Sequence, residues 1–270
     1  MWEIAVRKIK WPPKPFATRE AFLMEQYREI WKHIDRTSDI SEDVAPLQKM
    51  LKESRTAEDG NYHLMQIGRK HSAVKDDLCR AHILREFGIF TRPCLDRVVK
   101  ALQAMTPDER SSLFPMRFLC ADFDNLKGVN TLCGNDYEEA NKVIAYGMDV
   151  FHFVIRWRSR KNGNIFPDGI YQYQRGDEIV LMLPGIASLE KCESIGTRVS
   201  DLLQSLDPIQ IMTESGQMAW VKPSFTCKAC EVLDPEENII QTLGSKFLAI
   251  KKEKDKRKEL SEKKLLASAA

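Results

Sequence analysis

Two acidic groups in the sequence have the residue types and the spacing for chemistry. Asp122-Phe123-Asp124 directly follows an apolar run, and Asp177-Glu178 lies between two apolar segments. The first pattern is typical of a buried strand that ends in a carboxylate, and the second is typical of a tight hairpin. Carboxylates at strand ends supply the oxygen ligands that Mg²⁺ prefers, with room for phosphate oxygens. The groups therefore indicate either a metal-dependent phosphoryl-transfer site or two ordinary acidic turns, where Asp is common.

The segments around these groups predict an α+β fold. Apolar runs predict strands at residues 117–121, 169–174, 179–183 and 225–230. Helical spacing predicts helices at residues 93–105, 137–157 and 189–206, and a capping-box pattern at residues 234–237 predicts the start of a last helix. Alternating helices and strands with an antiparallel hairpin predict helices packed on a mixed sheet.

The first 71 residues form a region whose sequence does not indicate a role. Trp11-Pro12-Pro13-Lys14-Pro15 cannot be helical, residues 18–33 have helical spacing, and residues 36–72 are polar and broken like a linker. A second helix is predicted over residues 72–87, before Gly88. We therefore divide the chain into an arm with a helical region, a main domain and a charged tail, at residues 1–71, 72–258 and 259–270.

Composition limits the classes of function. The chain has 270 residues, of which 43% are hydrophobic and 30% charged, so it has enough apolar residues for a core and is not disordered throughout. No apolar stretch approaches the roughly 18 residues of a membrane span, and the first residues do not resemble a secretory signal. Seven cysteines, an odd number, indicate reduced thiols and a cytoplasmic location. The net charge of +2 predicts no general attraction to nucleic acid.

The two acidic groups and their neighbours resemble the GGDEF family of diguanylate cyclases. That family has an Asp-x-Asp-x-Phe-Lys-x-x-Asn signature followed by a Gly-Gly-Asp/Glu-Glu-Phe hairpin. Residues 122–130 of this chain read DFDNLKGVN, and residues 175–179 read RGDEI. Residues 88–92 resemble the segment with which such domains begin, and residues 183–185 resemble the end of the strand after the hairpin. The resemblance covers about residues 80–258.

The resemblance implies a fold, a metal site and a reaction. The fold is a ferredoxin-like palm, a mixed and largely antiparallel sheet with helices on one side, preceded by an α-helical N-terminal region. Asp122, Asp177 and the backbone carbonyl of Phe123 would bind Mg²⁺ or Mn²⁺, and Glu178 would support the attacking 3′-hydroxyl. Two GTP would condense to cyclic di-GMP with release of pyrophosphate. Because each palm of that family holds one nucleotide, a homodimer is implied.

Further residues take nucleotide-binding roles by their positions in the resemblance. Asn130 and Glu139 stand at the guanine-reading positions, and Gly176 lies within the hairpin. The basic last helix provides a pair of lysines for phosphates, and the turn after the first acidic group provides amides and a cation for the triphosphate. These residues are Lys252 and Lys256 in the helix and Asn125, Leu126 and Lys127 in the turn.

Departures from the family pattern leave two functions open. Arg175 replaces the first glycine of the hairpin, Ile179 replaces its phenylalanine, and Thr131 replaces an aspartate near the guanine-reading position. The chain is expected to be a cyclase acting on GTP or another nucleoside triphosphate. The alternative is a degenerate palm that binds nucleotide or a protein partner as a regulatory or scaffold module.

One cysteine pair has the spacing of half a zinc site. Cys227 and Cys230 form a Cys-x-x-Cys pattern without a second pair or two nearby histidines. Positions three apart on a strand face opposite sides, so we expect no zinc site there.

Overall fold

The computed structural model describes most of the second and third quarters of the chain and nearly all of the last. The described ranges are residues 83–84, 86–108, 113–154, 168–174, 177–234 and 236–268, with Met24, Lys49 and Met65. Within them the helices are α1 (Arg92–Gln103), α2 (Leu126–Leu132), α3 (Tyr137–Val154), α4 (Leu189–Ser205) and α5 (Ile239–Ser268). The strands are β1 (Ile83–Leu84), β2 (Ile89–Phe90), β3 (Met116–Phe123), β4 (Gly169–Gln172), β5 (Glu178–Leu183), β6 (Ile209–Met212), β7 (Met218–Val221) and β8 (Phe225–Val232). The predicted helix at residues 18–33 and the boundary at residue 71 lie outside these ranges.

The sheet order identifies the fold. Six strands lie in the order β1-β2-β4-β5-β3-β8, and β6 pairs with β7 in a separate ribbon. Only β2 and β4 pair in parallel in the six-stranded sheet. Apart from the short helix α2 and the β6-β7 ribbon, the chain from β3 to β8 follows the β-α-β-β-α-β order of ferredoxin-like folds, with α3 and α4 as the long connecting helices. The predicted fold class, an α+β ferredoxin-like palm, is confirmed.

Side chains on the central strand β3 alternate between two hydrophobic cores. Phe118 and Cys120 belong to the core that includes α1 and α5, whereas Leu119 and Ala121 belong to the core that includes α3 and α4. Helices therefore cover both faces of the sheet, and the expectation of helices on one side is wrong. Because strand side chains alternate, Asp122 lies on the α5 face.

The two cysteines of the Cys-x-x-Cys pattern follow the same alternation on β8. Cys230 is buried in the core of α1 and α5, and Cys227 packs against the core of α3 and α4. The two thiols therefore face opposite sides of the sheet, as strand geometry predicted. Burial raises the pKa of the Cys227 thiol to about 12.

Several predicted boundaries differ from the structure. The helix expected over residues 72–87 does not extend over its last part, because Ile83–Leu84 form β1 and a turn follows at residues 86–88; residues 72–82 lie outside the described ranges. The last helix begins at Ile239 rather than near residue 235, since the Asn238 side chain accepts a hydrogen bond from the Gln241 amide at 3.1 Å. The Asp234 side chain instead accepts from the amide of Glu236 in a separate turn, at 2.8 Å.

The last helix also crosses a proposed domain boundary. Helix α5 continues to Ser268, past residue 258 where the tail was expected to begin. No helix within the described ranges is long and apolar enough to cross a membrane.

Close packing between α3 and the start of β8 fixes one edge of the palm. The Phe225 ring makes edge-on contacts with Phe123 and Phe151, with ring centroids 5.1 and 5.0 Å away. A Cβ atom at Gly147 on α3 would lie 2.7 Å from this ring and 3.1 Å from Pro223 Cβ. Only glycine therefore allows α3 to lie this close to β8.

We predict that Gly147→Ala destabilises the fold. Because the aromatic contacts hold the Phe225 ring in place, the added methyl group should cost about 1–3 kcal/mol of unfolding free energy, measured by urea denaturation. Gly196→Ala on α4 is the matched control: its Cβ meets a leucine methyl at 3.1 Å, and it gains about 1 kcal/mol of helix propensity. Equal effects of the two substitutions would contradict the prediction.

Candidate active site

The end of β3 and the start of β5 bring the two acidic groups together. In the antiparallel pairing of these strands, Asp122 lies directly opposite Glu178. The Phe123 amide donates a hydrogen bond to the Asp177 carbonyl at 3.1 Å, and the Tyr173 amide donates to the Glu178 carbonyl at 2.8 Å. The hairpin is therefore joined by backbone hydrogen bonds to the strand that carries the first acidic group.

A lysine of α5 contacts the acidic cluster, a term used here for Asp122, Asp124, Asp177 and Glu178. The Lys254 ammonium is 2.9 Å from Asp122 Oδ2, and it donates a hydrogen bond to the Phe123 carbonyl at 2.7 Å. It also lies 3.6 Å from Asp124 Oδ1. The side chains of Lys254 and Asp122 are 24% and 16% exposed, so the pair is largely shielded from water.

Asp124, the second aspartate of the signature, is bonded to residues at the start of β8, which pairs with β3 on the side away from β5. Asp124 accepts hydrogen bonds from the hydroxyl groups of Ser224 and Thr226, each at 2.7 Å. Its backbone amide donates to the Ser224 carbonyl at 2.8 Å. Asp124 therefore joins the end of β3 to the start of β8 and fixes the direction in which the chain leaves the sheet.

The electrostatics around Asp122 combine burial with opposing charges. Burial raises the pKa of its carboxyl above the usual range, the bond to Lys254 lowers that pKa, and the charges of Asp177 and Asp124 raise it again. A second cation near these carboxylates would stabilise their charged forms, because opposite charge favours ionisation.

A cavity of about 1100 Å³ opens over the acidic cluster. It is somewhat larger than the roughly 300–1,000 Å³ of ordinary ligand sites. Its walls combine both acidic groups, the turn after β3 and one face of α5. Lining residues from these parts include Asp122, Phe123, Asn125, Leu126, Lys127, Asp177, Glu178, Lys251, Lys254 and Asp255.

The turn after β3 has a backbone that few residue types adopt. Asn125 has φ of +59°, in the left-handed region, where Asn is tolerated better than most residues. A Cβ atom at position 128 would lie 2.5 Å from the end of the Asn125 side chain, which is exposed and would have to move. The left-handed backbone of Asn125 lets the chain turn from the sheet into α2, and Lys127 follows on the cavity wall.

The expected guanine-reading residues lie apart from this cavity. Asn130 and Glu139 are not among the residues that line it. The Glu139 carboxylate bonds to Lys142 and accepts from the Met212 amide at 3.0 Å, and these two contacts lower its pKa. The Asn130 Oδ1 atom is buried without a hydrogen-bond partner in the described part of the chain.

The lysines of α5 that line the cavity are not the pair expected from the resemblance. Lys252 and Lys256 are exposed and do not line the cavity, whereas Lys251 and Lys254 do. The lining pair is offset by one to two residues, because the face of a helix repeats every 3.6 residues and a small error in register selects another side. Gly176 of the hairpin lies outside the described residues.

Sequence reasoning missed a group that supports the hairpin. The Tyr173 ring stacks on Phe247 of α5 with centroids 4.5 Å apart, and the guanidinium carbon of Arg92 lies over the same ring, 4.7 Å from its centroid. Arg92 also donates to the Tyr173 carbonyl at 2.8 Å. Tyr173 precedes the hairpin, so α1 and α5 both contact the chain where it enters this turn. The paired aromatic and basic types were visible in sequence, but their separation of about 80 residues hid the contact.

The residues at the acidic cluster fit a divalent cation. Asp122 Oδ2 and the Phe123 carbonyl already converge on one positive charge, the Lys254 ammonium, and both are the oxygen donors that Mg²⁺ uses. Among the described residues no three His, Cys, Asp or Glu side chains group closely enough to hold a metal alone. A metal held at this position would therefore need backbone carbonyl oxygens in addition to carboxylates.

Solved structures with a similar fold include GGDEF domains. The GGDEF domain of DgcB from Caulobacter crescentus, solved with c-di-GMP, is 16% identical with a TM-score of 0.48 over 65% of this chain and 88% of that one. The GGDEF domain of YfiN from Pseudomonas aeruginosa is 17% identical with a TM-score of 0.45, over 63% and 90%. A diguanylate cyclase/phosphodiesterase from Caldicellulosiruptor saccharolyticus is 11% identical with a TM-score of 0.45, over 64% and 88%. These similarities concern the fold alone.

The sequence matches no protein-family model and no curated protein.

We predict that Thr226→Val loosens the end of β3. The substitution keeps the side-chain volume but removes a buried hydroxyl that donates to Asp124 and accepts from Arg257 at 3.2 Å. Loss of a hydrogen bond to a charged group should cost about 1.5–3 kcal/mol of unfolding free energy, measured by denaturant titration. Thr197→Val on the exposed side of α4 is the control, and the prediction is wrong if both variants unfold alike.

Proposed function

We propose that this chain is a metal-dependent nucleotidyl cyclase of the diguanylate cyclase type. The observation that carries the proposal is the pairing of Asp122 with Glu178 beside Asp177, on the wall of a cavity that also has basic residues. A nucleoside triphosphate needs this combination, because its phosphates bind cations and its reacting phosphorus needs neutralised charge. GTP is the proposed substrate and cyclic di-GMP the proposed product.

Each residue of the site has a proposed part. Asp122, Asp177 and the Phe123 carbonyl would hold Mg²⁺ or Mn²⁺, which when bound neutralises phosphate charge and favours ionisation of the attacking hydroxyl. Glu178 would accept a hydrogen bond from the 3′-hydroxyl and so orient it. Lys127 would bind phosphate oxygens from the turn after β3.

The opposite wall would bind the triphosphate from α5. Lys251 and Lys254 line the cavity on the same helix face as Phe247. Lysine acts as a compact charge with three donors, which suits phosphate oxygens at varying positions. Phosphates held between α5 and the turn would present the α-phosphorus to a hydroxyl from a second nucleotide.

The proposed reaction needs two copies of the chain. Each 3′-hydroxyl attacks the α-phosphorus of the other GTP, a new P–O bond forms at each centre, and pyrophosphate leaves from each. One cavity per chain would hold one nucleotide, so two cavities must face each other in a homodimer.

The cysteines in the described residues are free thiols, and we place the protein in a reducing cytoplasm.

One observation favours a second candidate, a palm that binds nucleotide or a partner without turnover. Glu139 is engaged by Lys142 and the Met212 amide, and neither Glu139 nor Asn130 lines the cavity. A site without the family's base contacts would hold a nucleotide mainly by its phosphates. Such a module would bind several nucleoside triphosphates with similar affinity and form no cyclic product.

We predict that purified protein forms a cyclic dinucleotide from GTP, ATP or their mixture with Mg²⁺ or Mn²⁺, measured by chromatography and mass spectrometry. Asp177→Ala and Glu178→Gln should each lower the rate by at least about a hundredfold, because charge stabilisation or orientation at the reacting centre is lost. Asp201→Asn, at an exposed position of α4, is the charge-matched control and should leave the rate unchanged.

The same assay separates the two candidates. No cyclic product from any nucleotide mixture, with the wild type equal to Asp177→Ala, would refute the cyclase. Nucleotide binding measured by calorimetry in that inactive protein would then support the binding module.

We predict that the rate per chain increases with protein concentration. Two half-sites must meet for product to form, so dilution below the dimer dissociation constant should lower specific activity in parallel with the dimer fraction. Dimer fraction is measured by analytical ultracentrifugation under the assay conditions. Specific activity that stays constant while the dimer dissociates would contradict the dimeric site.

A further inference from the structure

One cation of the protein itself occupies the position where the proposed site would place a metal. The Lys254 ammonium contacts two of the three proposed metal ligands, Asp122 at 2.9 Å and the Phe123 carbonyl at 2.7 Å. Its third neighbour is Asp124 Oδ1 at 3.6 Å. These contacts use the oxygen lone pairs that a divalent ion would need.

The charges make simultaneous occupation unfavourable. A divalent ion on Asp122 and Phe123 would lie within a few ångströms of the ammonium in a partly shielded site, where like charges repel strongly. The Lys254 side chain has a flexible four-carbon stem and also lines the cavity, so its ammonium can move away from Asp122 into the cavity. Phosphate oxygens in that cavity would provide it with new acceptors.

We propose that Lys254 is an internal competitor for the metal, so that the divalent ion binds well only when a triphosphate draws this lysine away. The inference rests on the proposed metal site and adds a control on its occupancy. In the free protein Lys254 compensates part of the negative charge of the acidic cluster. A nucleoside triphosphate accepts the ammonium on its phosphates, and the oxygens of Asp122 and Phe123 become available.

The test measures Mn²⁺ affinity without nucleotide, by electron paramagnetic resonance of the free ion at neutral pH. Lys254→Met removes the competitor, and Lys254→Gln removes its charge but retains an N–H donor for Asp122. Both should bind Mn²⁺ at least about tenfold more tightly than the wild type, because the repulsion is gone. Thermal unfolding shows which variants are folded. The test needs only one folded neutral variant, either Lys254→Met or Lys254→Gln.

Two matched variants separate charge from structure. Lys254→Arg keeps the cation, and Lys258→Met removes an exposed positive charge one turn further along α5, so both should bind Mn²⁺ like the wild type. Adding Asp122→Asn to Lys254→Met should abolish the gain, which assigns the tighter binding to this position.

Equal Mn²⁺ affinity in the wild type and the neutral variants would overturn the inference, and so would absence of Mn²⁺ binding in all of them. The outcome is independent of the cyclase assay. Tight Mn²⁺ binding by Lys254→Met with no cyclic product from the wild type would keep the competitor and reject the cyclase. Cyclic product from the wild type with unchanged metal affinity in Lys254→Met would keep the cyclase and reject the competitor.

Discussion

The antiparallel pairing of β3 with β5 is the constraint on which the rest of the site depends. It places residue 122 opposite residue 178 and lets the Phe123 amide bond to the Asp177 carbonyl. Residues more than fifty positions apart thereby share one cavity wall. A slip of one residue in this register would turn either acidic side chain to the opposite face. The hydrophobic residues of both strands fix the register, because they must fill two separate cores.

Much of this arrangement could be predicted from the sequence. The apolar run before Asp122 and the apolar segments around the hairpin have strand patterns, and the ordered pair of motifs predicted their meeting. The ends of the helices were harder to predict, because several nearby residues can cap the same helix. Asp234 has the sequence pattern of a helix cap, yet Asn238 caps α5. The short strands β6 and β7 gave too little pattern to be predicted.

The details of the site depended on tertiary contacts that no local pattern encodes. Which lysines of α5 line the cavity is decided by how α5 rotates against β3 and β8, and a basic helix presents several choices. The burial of Phe247 and Ile250 in the core fixes that rotation and so selects Lys251 and Lys254. Glu139 likewise pairs with the Met212 amide because the unpredicted ribbon lies beside α3.

The alternation of β3 between two cores has an evolutionary consequence. Asp122 belongs to the face of α5, whereas the first turns that follow toward α3 pack on the other face. Substitutions at exposed positions of this segment, such as Thr131, can accumulate without disturbing the packing beneath the carboxylates. If the proposed function holds, a lineage could thus change its base preference while it retains the carboxylates at the ends of β3 and β5.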